Sequence, residues 1–194
     1  MNKVVSGLLG LTVVVGLVVG AAVAQFNDAA SLTNLALSVG SPDLLIKLTG
    51  GESFLQEVNI AGSFFDTLVP GEFDEVLFEL RNNSTGNLDF SLTGKIPVVP
   101  TPSEDWTALK DEVECVVYLQ GGDPESVDTA VSSGWKTLNT WLASQDLPGD
   151  PLNSSSEEQL VLRCKVPSDA PNSVAGQEIT DLEFEVTGEQ ILGP

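Results

Sequence analysis

Apolar and polar residues alternate along much of the chain, which predicts β-strands with one buried and one solvated face. The clearest case places Val76, Phe78 and Leu80 on one side and Glu75, Glu79 and Arg81 on the other. Comparable runs cover residues 35–39, 44–48, 88–92, 113–119, 160–166 and 182–186, with a weaker one at 54–60. About eight such strands indicate two packed antiparallel sheets.

The period of the pattern changes between residues 123 and 145. Pro124 suits the first turn of a helix. The apolar residues that follow recur at spacings of three and four, namely Val127, Ala130, Val131, Trp135, Leu138, Trp141 and Leu142. This spacing predicts an amphipathic helix of about five turns, whose two tryptophans we expect to pack on a sheet, a ligand platform being the alternative. The predicted fold is therefore mainly all-β: an antiparallel jelly-roll-type β-sandwich with one helical insertion at residues 123–145.

A long apolar segment occupies the N-terminus. Lys3 precedes it, and it ends in the small-x-small triplet Ala22-Val23-Ala24, which is typical of a signal peptidase site. The sequence thus predicts a signal peptide at residues 1–24, cleavage between Ala24 and Gln25, and a secreted domain at residues 25–194. Because the apolar run is long enough to span a bilayer, an uncleaved anchor is the alternative.

The charge balance narrows the range of partners. The chain has 28 acidic and 8 basic residues, a formal net charge of −20 at pH 7. Such an excess argues against nucleic acid or an anionic membrane surface as a partner, because like charges repel. Membrane contact is expected only transiently, through the signal segment. The carboxylates permit weak Ca²⁺ binding, although no cofactor is predicted.

Histidine is absent from the sequence. Without imidazole, Ser-His-Asp and Cys-His catalysis and histidine-based zinc sites are excluded. A site built from carboxylates alone is the alternative, but no acidic pair lies in a recognisable apolar setting, so we interpret the carboxylates as a solvated surface. The sequence therefore predicts no enzyme, no catalytic residue and no metal site.

Two cysteines, Cys115 and Cys164, fall on inward positions of two predicted strands. In an exported protein an even number of cysteines favours a disulfide, either cross-strand or between sheets, with two buried thiols as the alternative. Three sequons place candidate glycosylation sites at Asn82, Asn83 and Asn153, all in predicted loops.

Several short motifs carry a family resemblance. They are Gln25-Phe26-Asn27-Asp28 after the signal, the turn Leu68-Val69-Pro70-Gly71, the strand end Leu80-Arg81-Asn82-Asn83-Ser84 and the closing Leu182-Glu183-Phe184-Glu185-Val186-Thr187. In their order and spacing the chain resembles the TasA/camelysin family of exported biofilm-matrix fibre proteins and related archaeal bundling pili. The resemblance implies a jelly-roll subunit that polymerises head to tail by donor-strand complementation, with other matrix components as further partners.

The physical properties of residues 25–39 fit the role of donor strand. The segment starts polar at Gln25, Asn27 and Asp28 and then alternates, so it can add to an open sheet edge and insert Phe26, Leu32 and Leu35 into a groove. The alternative is that residues 25–39 form the first strand of their own subunit. The predicted function is a secreted structural subunit of an extracellular filament.

Three other functions stay open at this stage. A monomeric surface adhesin or carbohydrate-binding jelly roll would use exposed aromatics such as Trp106, Trp135 or Trp141. The resembled family includes camelysin-type metallo-endopeptidases, but a zinc peptidase without histidine would have no known ligand spacing. A type IV-type pilin would need a Lys/Arg-Gly processing site before the apolar run, and the sequence has none.

Overall fold

The computed structural model describes residues 31–33, 35–39, 43–59, 68–84, 88–99, 104–180 and 182–192. Within them the strands are β1 (Ser31–Thr33), β2 (Ala36–Val39), β3 (Leu44–Leu48), β4 (Glu57–Asn59), β5 (Phe73–Asn82), β6 (Leu88–Lys95), β7 (Glu114–Leu119), β8 (Lys136–Thr137), β9 (Gln145–Asp146), β10 (Glu157–Lys165), β11 (Glu178–Thr180) and β12 (Glu183–Leu192). Helix α1 spans Glu104–Leu109, and 3₁₀ turns cover Thr140–Leu142 and Asn172–Val174.

Ten of these strands build two five-stranded sheets. Sheet A has the order β3-β5-β10-β7-β8 and sheet B the order β4-β2-β12-β6-β9, while β1 and β11 form a separate pair. Neighbouring strands are antiparallel, except that β2 runs parallel to β12 and β1 parallel to β11. The predicted all-β sandwich of mainly antiparallel strands is confirmed.

The main hydrophobic core lies between the two sheets. Phe78 and Leu80 of β5 and Leu37 of β2 are 0% exposed. Trp141 enters the same core and meets Phe184 edge to face, with ring centroids 5.1 Å apart. On β5 the three residues that the alternation assigned to the inner face, Val76, Phe78 and Leu80, are all buried, because successive residues of a strand point to opposite sides. Glu79, assigned to the outer face, is buried as well, at 8% exposure.

A tight turn leads into β5, as the sequence predicts. The Glu72 N–H donates to the Val69 carbonyl over 2.9 Å, and Gly71 within the turn has a φ of +87°. Glycine adopts this backbone conformation without a steric cost. The Gly71 N–H in turn donates to the Val166 carbonyl over 2.9 Å, which fixes the turn against the end of β10.

The helix predicted at residues 123–145 does not form, and this prediction is wrong. The segment consists of turns, the two-residue strand β8 and the 3₁₀ turn at Thr140–Leu142. Val127, on the predicted apolar stripe, is 99% exposed.

The reason is a series of short polar side chains that bond to the backbone two residues ahead. The Asp123 carboxylate accepts the Glu125 N–H (3.0 Å), and the Asp128 carboxylate accepts the Ala130 N–H (3.0 Å). The Ser126 hydroxyl accepts the Asp128 N–H in the same way, at 3.2 Å. These bonds offer the backbone an alternative to helical hydrogen bonding, and they outweigh the apolar spacing.

The helix α1 forms instead at Glu104–Leu109, a segment for which no helix was predicted. Trp106 and Leu109 are its buried residues, and Glu104 and Asp105 lie in its first turn, where negative charge complements the helix dipole. Six residues are too few for apolar periodicity to reveal such a helix. Among the helices of the described ranges, none has the length and apolar character needed to cross a membrane.

Candidate assembly site

The first described segment of the chain pairs within its own subunit. Strand β2 is an internal strand of sheet B, between β12 and β4, with Leu37 opposite Phe184 of β12. Strand β1 pairs with β11, with Leu32 opposite Ile179. Residues 31–33 and 36–39 therefore pair with strands near the other end of the described chain.

Alternate side chains of this segment enter the core. Leu32, Leu35 and Leu37 are at most 2% exposed, and Val39 is 8% exposed. Full burial of a leucine side chain stabilises a fold by about 2 kcal/mol, so the three leucines together contribute on the order of 5 kcal/mol. Removal of the segment without a replacement would open the core to water.

Polar contacts fix the register of β2. The Ala36 N–H donates to the Leu182 carbonyl and the Val39 N–H to the Gln56 carbonyl, each over 2.9 Å. The Ser38 hydroxyl donates to Oε1 of Glu183 over 2.6 Å. The segment is thus held on both edges by hydrogen bonds and on its inner face by apolar packing.

The residues predicted to act in polymerisation divide into two groups. Leu32 and Leu35 lie together in the core of their own subunit. Residues 25–28, namely Gln25, Phe26, Asn27 and Asp28, lie outside the described residues, as does the predicted cleavage position between Ala24 and Gln25. In the single chain, residues 31–33 and 36–39 form strands of their own subunit, which is the predicted alternative to donor-strand pairing.

Cys115 and Cys164 form a disulfide, as predicted. They lie opposite each other on β7 and β10, which are neighbours in sheet A, and both face the core at 3% and 2% exposure. The bridge is therefore a cross-strand link within one sheet. The Trp141 indole N–H donates to the Cys115 carbonyl over 3.2 Å, so the indole lies beside the disulfide.

The three candidate glycosylation sites differ in accessibility. Asn82 is the last residue of β5 rather than part of a loop, and it is 0% exposed. Its amide donates to the carbonyls of Leu88 (2.8 Å) and Leu152 (3.0 Å), while its oxygen accepts from the N–H and hydroxyl of Ser84. Asn82 is therefore unsuitable as an acceptor in the folded chain. Asn83 and Asn153 are exposed.

The outer surface of sheet A carries a ladder of ion pairs, which we call the ion-pair face. The pairs are Lys47–Glu79 (2.9 Å), Arg81–Glu157, Arg163–Glu75 and Lys165–Glu114 (3.5 Å). Each joins residues that lie opposite each other on neighbouring strands. The four pairs therefore cancel in charge, in a chain whose net charge is −20.

Aromatic rings stack on the same cations. The guanidinium carbon of Arg81 lies 3.8 Å from the ring centroid of Phe54, and that of Arg163 lies 4.0 Å from that of Phe73. Nζ of Lys165 lies 3.7 Å from the Trp135 ring. Cations placed over aromatic faces are attracted by the ring quadrupole. The alternation of Glu75, Glu79 and Arg81 marked a wet face, but the strand order that pairs these charges could not be read from it.

A small apolar cluster lies beneath the ladder. Val116, Tyr118 and Val161 form it, with Leu77 and Trp135 packed against it. The Tyr118 hydroxyl donates to Oε2 of Glu75 over 3.1 Å. Burial raises the pKa of Tyr118 to about 12, with Glu75 adding to the effect and the Arg163 charge opposing it.

The outer surface of sheet B, which we call the acidic face, has the opposite character. Lys95, paired with Glu185 over 3.0 Å, is the one cation on the strands of sheet B as the structure describes them. The carboxylates at outward positions that keep solvent exposure are those of Glu57, Asp146, Glu183, Glu185 and Glu189. The two faces of the sandwich therefore differ sharply in charge.

Of the three tryptophans, Trp135 alone reaches the surface, since Trp106 and Trp141 are 5% and 0% exposed. Trp135 lines a shallow groove of about 250 Å³ together with Pro124 and Val127. Within the described ranges no group of three or more His, Cys, Asp or Glu side chains is arranged to hold a metal ion.

No protein-family model matches the chain, and none of the curated proteins matches it. Among solved structures, one described by the words "AvmM Catalyzes Macrocyclization in Alchivemycin A Biosynthesis" is similar over 80% of this chain and 91% of that chain, with 9% sequence identity and a TM-score of 0.32. A likeness this distant carries no argument about function.

Proposed function

We propose that the chain is a secreted structural subunit that polymerises into extracellular filaments by passing its N-terminal strands to the next subunit. The observation that supports this most is the placement of residues 31–39. They complete the core, and non-covalent contacts hold them there. These contacts are hydrogen bonds and apolar packing against β11 and β12, near the other end of the described chain.

A strand held in this way can be exchanged between identical subunits. In a neighbouring copy, Leu32, Leu35 and Leu37 enter the same groove and the same backbone groups are paired again, so exchange preserves the contacts. The donor segment and the acceptor groove are different surfaces of one subunit. A head-to-tail series of such contacts does not close, and it extends as a filament.

Sequence features support the same assignment. The resemblance to the TasA/camelysin family favours a biofilm-matrix fibre or a bundling pilus. The signal segment would keep the donor at the membrane until cleavage between Ala24 and Gln25 frees it. The Cys115–Cys164 disulfide is compatible with an oxidising environment such as the cell exterior.

Electron microscopy of the chain from Gln25 onward tests this proposal. Both sheets are built from residues after Ala24, so this chain contains the whole described fold. We expect regular filaments once concentration and salt are raised. The chain from Gln25 onward lacks Lys3 and carries 7 − 28 = −21, and this charge opposes assembly until it is screened. A persistent monomer under those conditions would contradict the proposal.

A second candidate function, carbohydrate binding, rests on Trp135 and its groove. An indole ring at the surface can stack against the apolar face of a sugar, and the Trp135 N–H already donates to Glu125 over 2.6 Å. Binding on a glycan array that is lost in Trp135→Ala and kept in Trp135→Phe would support this reading. Absence of any glycan binding by the unmodified chain would reject it.

A further inference from the structure

We propose that Asn153 carries an N-linked glycan. The acceptor is the triplet Asn153-Ser154-Ser155, and the donor is an oligosaccharide held on a lipid phosphate. Nδ2 of Asn153 forms a bond to C1 of the first sugar and loses one proton, while the lipid phosphate leaves. Transfer requires export of the chain, so the assignment rests on that part of the proposed function, but it does not require filament formation.

The backbone on both sides of Asn153 is fixed to the fold. Leu152, at 2% exposure, exchanges two hydrogen bonds with Phe90 of β6, over 3.0 and 2.9 Å. The Ser154 N–H donates to Oδ1 of Asp89 over 2.8 Å. Between these two anchors Asn153 is exposed. The acceptor asparagine is therefore held at the surface of the folded chain.

A tight turn presents the rest of the triplet. The Ser156 N–H and hydroxyl both donate to the Asn153 carbonyl, over 3.1 and 2.5 Å. Ser155 lies within this turn, with a φ of 60°, and is exposed. Among the described residues, neither the Asn153 amide nor the Ser155 hydroxyl has a hydrogen-bond partner. These are the two groups that define an N-glycosylation acceptor, and both are accessible.

The overlapping triplets that begin at Asn82 and Asn83 are less suitable. The Asn82 amide is buried and donates both of its hydrogens to backbone carbonyls. Asn83 is exposed, but Ser84 at the centre of its triplet is 4% exposed and bonds to Oδ1 of Asn82 through its N–H and its hydroxyl. A transferring enzyme would have to break these buried contacts to bind that triplet, whereas Ser154 is only half-buried.

The position of Asn153 leaves the surface for strand exchange free. Leu152 lies opposite Phe90 of β6, and Phe90 lies opposite Gln190 of β12. The described pairing of β2 with β12 ends at Val186. From strand spacing and rise, Leu152 is about 14 Å to the side of β2 and about 13 Å further along the sheet than the last pair of β2. A glycan on Asn153 is therefore compatible with strand exchange.

Transfer to the folded chain in vitro tests the choice of site. The chain from Gln25 onward is incubated with a single-subunit oligosaccharyltransferase that requires only Asn-x-Ser/Thr and with its lipid-linked oligosaccharide. Peptide mass spectrometry then locates the product. We expect Asn153 to react at least about tenfold faster than Asn83, because the contacts of Ser84 must open first, and Asn82 not to react. A comparable or higher rate at Asn83, or no transfer to Asn153, would overturn the proposal.

Two matched serine variants show that the triplet itself is read. Ser155→Ala keeps the asparagine but removes the required hydroxyl, whereas Ser154→Ala keeps an intact triplet. We expect transfer to Asn153 to be lost in the first variant and kept in the second. The opposite result for either variant would contradict the assignment.

The chain secreted by its own host shows whether the site is used. Its intact mass should exceed that of the polypeptide by one glycan, which peptide mapping should place on Asn153. A secreted chain without this glycan would overturn the proposal and leave the filament proposal intact, whereas a chain that is never exported would contradict both. Asn153→Gln should form the same filaments as the unmodified chain, so assembly and glycosylation are read separately.

Discussion

Leu37 of β2 lies opposite Phe184 of β12 in a parallel register, although the two residues come from opposite ends of the described chain. A parallel pair cannot be closed by a tight hairpin, so the contact depends on a long connection through the rest of the fold. Contacts of this kind form late, because the loop-closure entropy must be paid first. The proposed strand exchange requires that, until they form, the groove beside β12 accept the same segment of another copy.

Deletion of residues 25–35 should convert the subunit into a terminator of growth. The deletion removes β1 with the buried side chains Leu32 and Leu35, so the variant retains an acceptor groove but has no complete donor. Added in small amounts to the unmodified chain, it should shorten filaments in proportion to its fraction, as measured by electron microscopy. Filaments of undiminished length would contradict the donor role.

Loss of the disulfide should lower stability substantially without altering the sheet order. Cys115 and Cys164 are separated by 49 positions, and opening a loop of that size costs about 4 kcal/mol on the chain-entropy model. We expect C115A/C164A to unfold at a lower urea concentration than the unmodified chain, by an amount that matches this loss. The unmodified chain measured with and without reductant is the control, and equal stability of the oxidised and reduced forms would disprove the stabilising role.

Asn82→Asp should destabilise the fold far more than the same change next to it. Asn82 is buried and uses both its amide nitrogen and its oxygen, so the change loses a donor and buries a charge, at about 2–4 kcal/mol. Asn83→Asp adds the same charge at an exposed position, and it should cost less than about 0.5 kcal/mol. Urea unfolding of both variants measures the difference, and similar losses of unfolding free energy would contradict the role given to Asn82.

Ionisation of Tyr118 should couple stability to alkaline pH. Its pKa rises from 10.0 to about 12 in the folded chain, so the neutral phenol is the favoured form there. The contribution of the neutral phenol to the free energy of unfolding is complete below pH 10 and is lost as pH rises toward 12. Because the chain has one tyrosine, tyrosinate absorbance reports it directly, with a higher midpoint in the folded than in the urea-unfolded chain.

Tyr118→Phe provides the matched control for that titration. The variant keeps the ring in the cluster with Val116 and Val161 but has no ionisable group. Relative to it, the unmodified chain should lose stability above pH 10. Coincident pH profiles of the two proteins, or one absorbance midpoint for both states, would contradict the prediction.

Strands β2 to β7, β10 and β12 could be predicted from sequence because their signal is local, whereas the two- and three-residue strands β1, β8, β9 and β11 were not predicted as strands of their own. Val76, Phe78 and Leu80 alternate with charged residues, and β5 buries those three side chains. The turn at Gly71 could also be predicted, because Pro70-Gly71 is a local turn signal, and the positive φ of Gly71 agrees with it. The two cysteines favoured a disulfide, as observed, but their number left open whether the bridge was cross-strand or between sheets.

Two further features could not be predicted from local patterns. One depends on competition between apolar spacing and side-chain hydrogen bonds to the backbone, and the other on the register between distant strands. Apolar spacing at residues 123–145 suggested a helix, but Asp123, Ser126 and Asp128 bond to nearby backbone groups instead. The ion-pair face required Arg81 to lie opposite Glu157, and that register is set by the order of strands far apart in the chain. Alternation alone identifies which face is wet, and it leaves the partners across the strands undetermined.

Cross-linking of β2 to β12 tests strand exchange most directly. Ser38 lies opposite Glu185, so Ser38→Cys with Glu185→Cys creates a pair that bonds within one chain when β2 folds back and between chains when it is exchanged. Thr93→Cys with Thr187→Cys is the control, because these opposite residues on β6 and β12 belong to the same subunit in either case. Filaments of the first variant should give a ladder of covalent multimers on non-reducing gels, and those of the control should not. Filaments of the first variant in which every new link lies within a single chain would contradict the account.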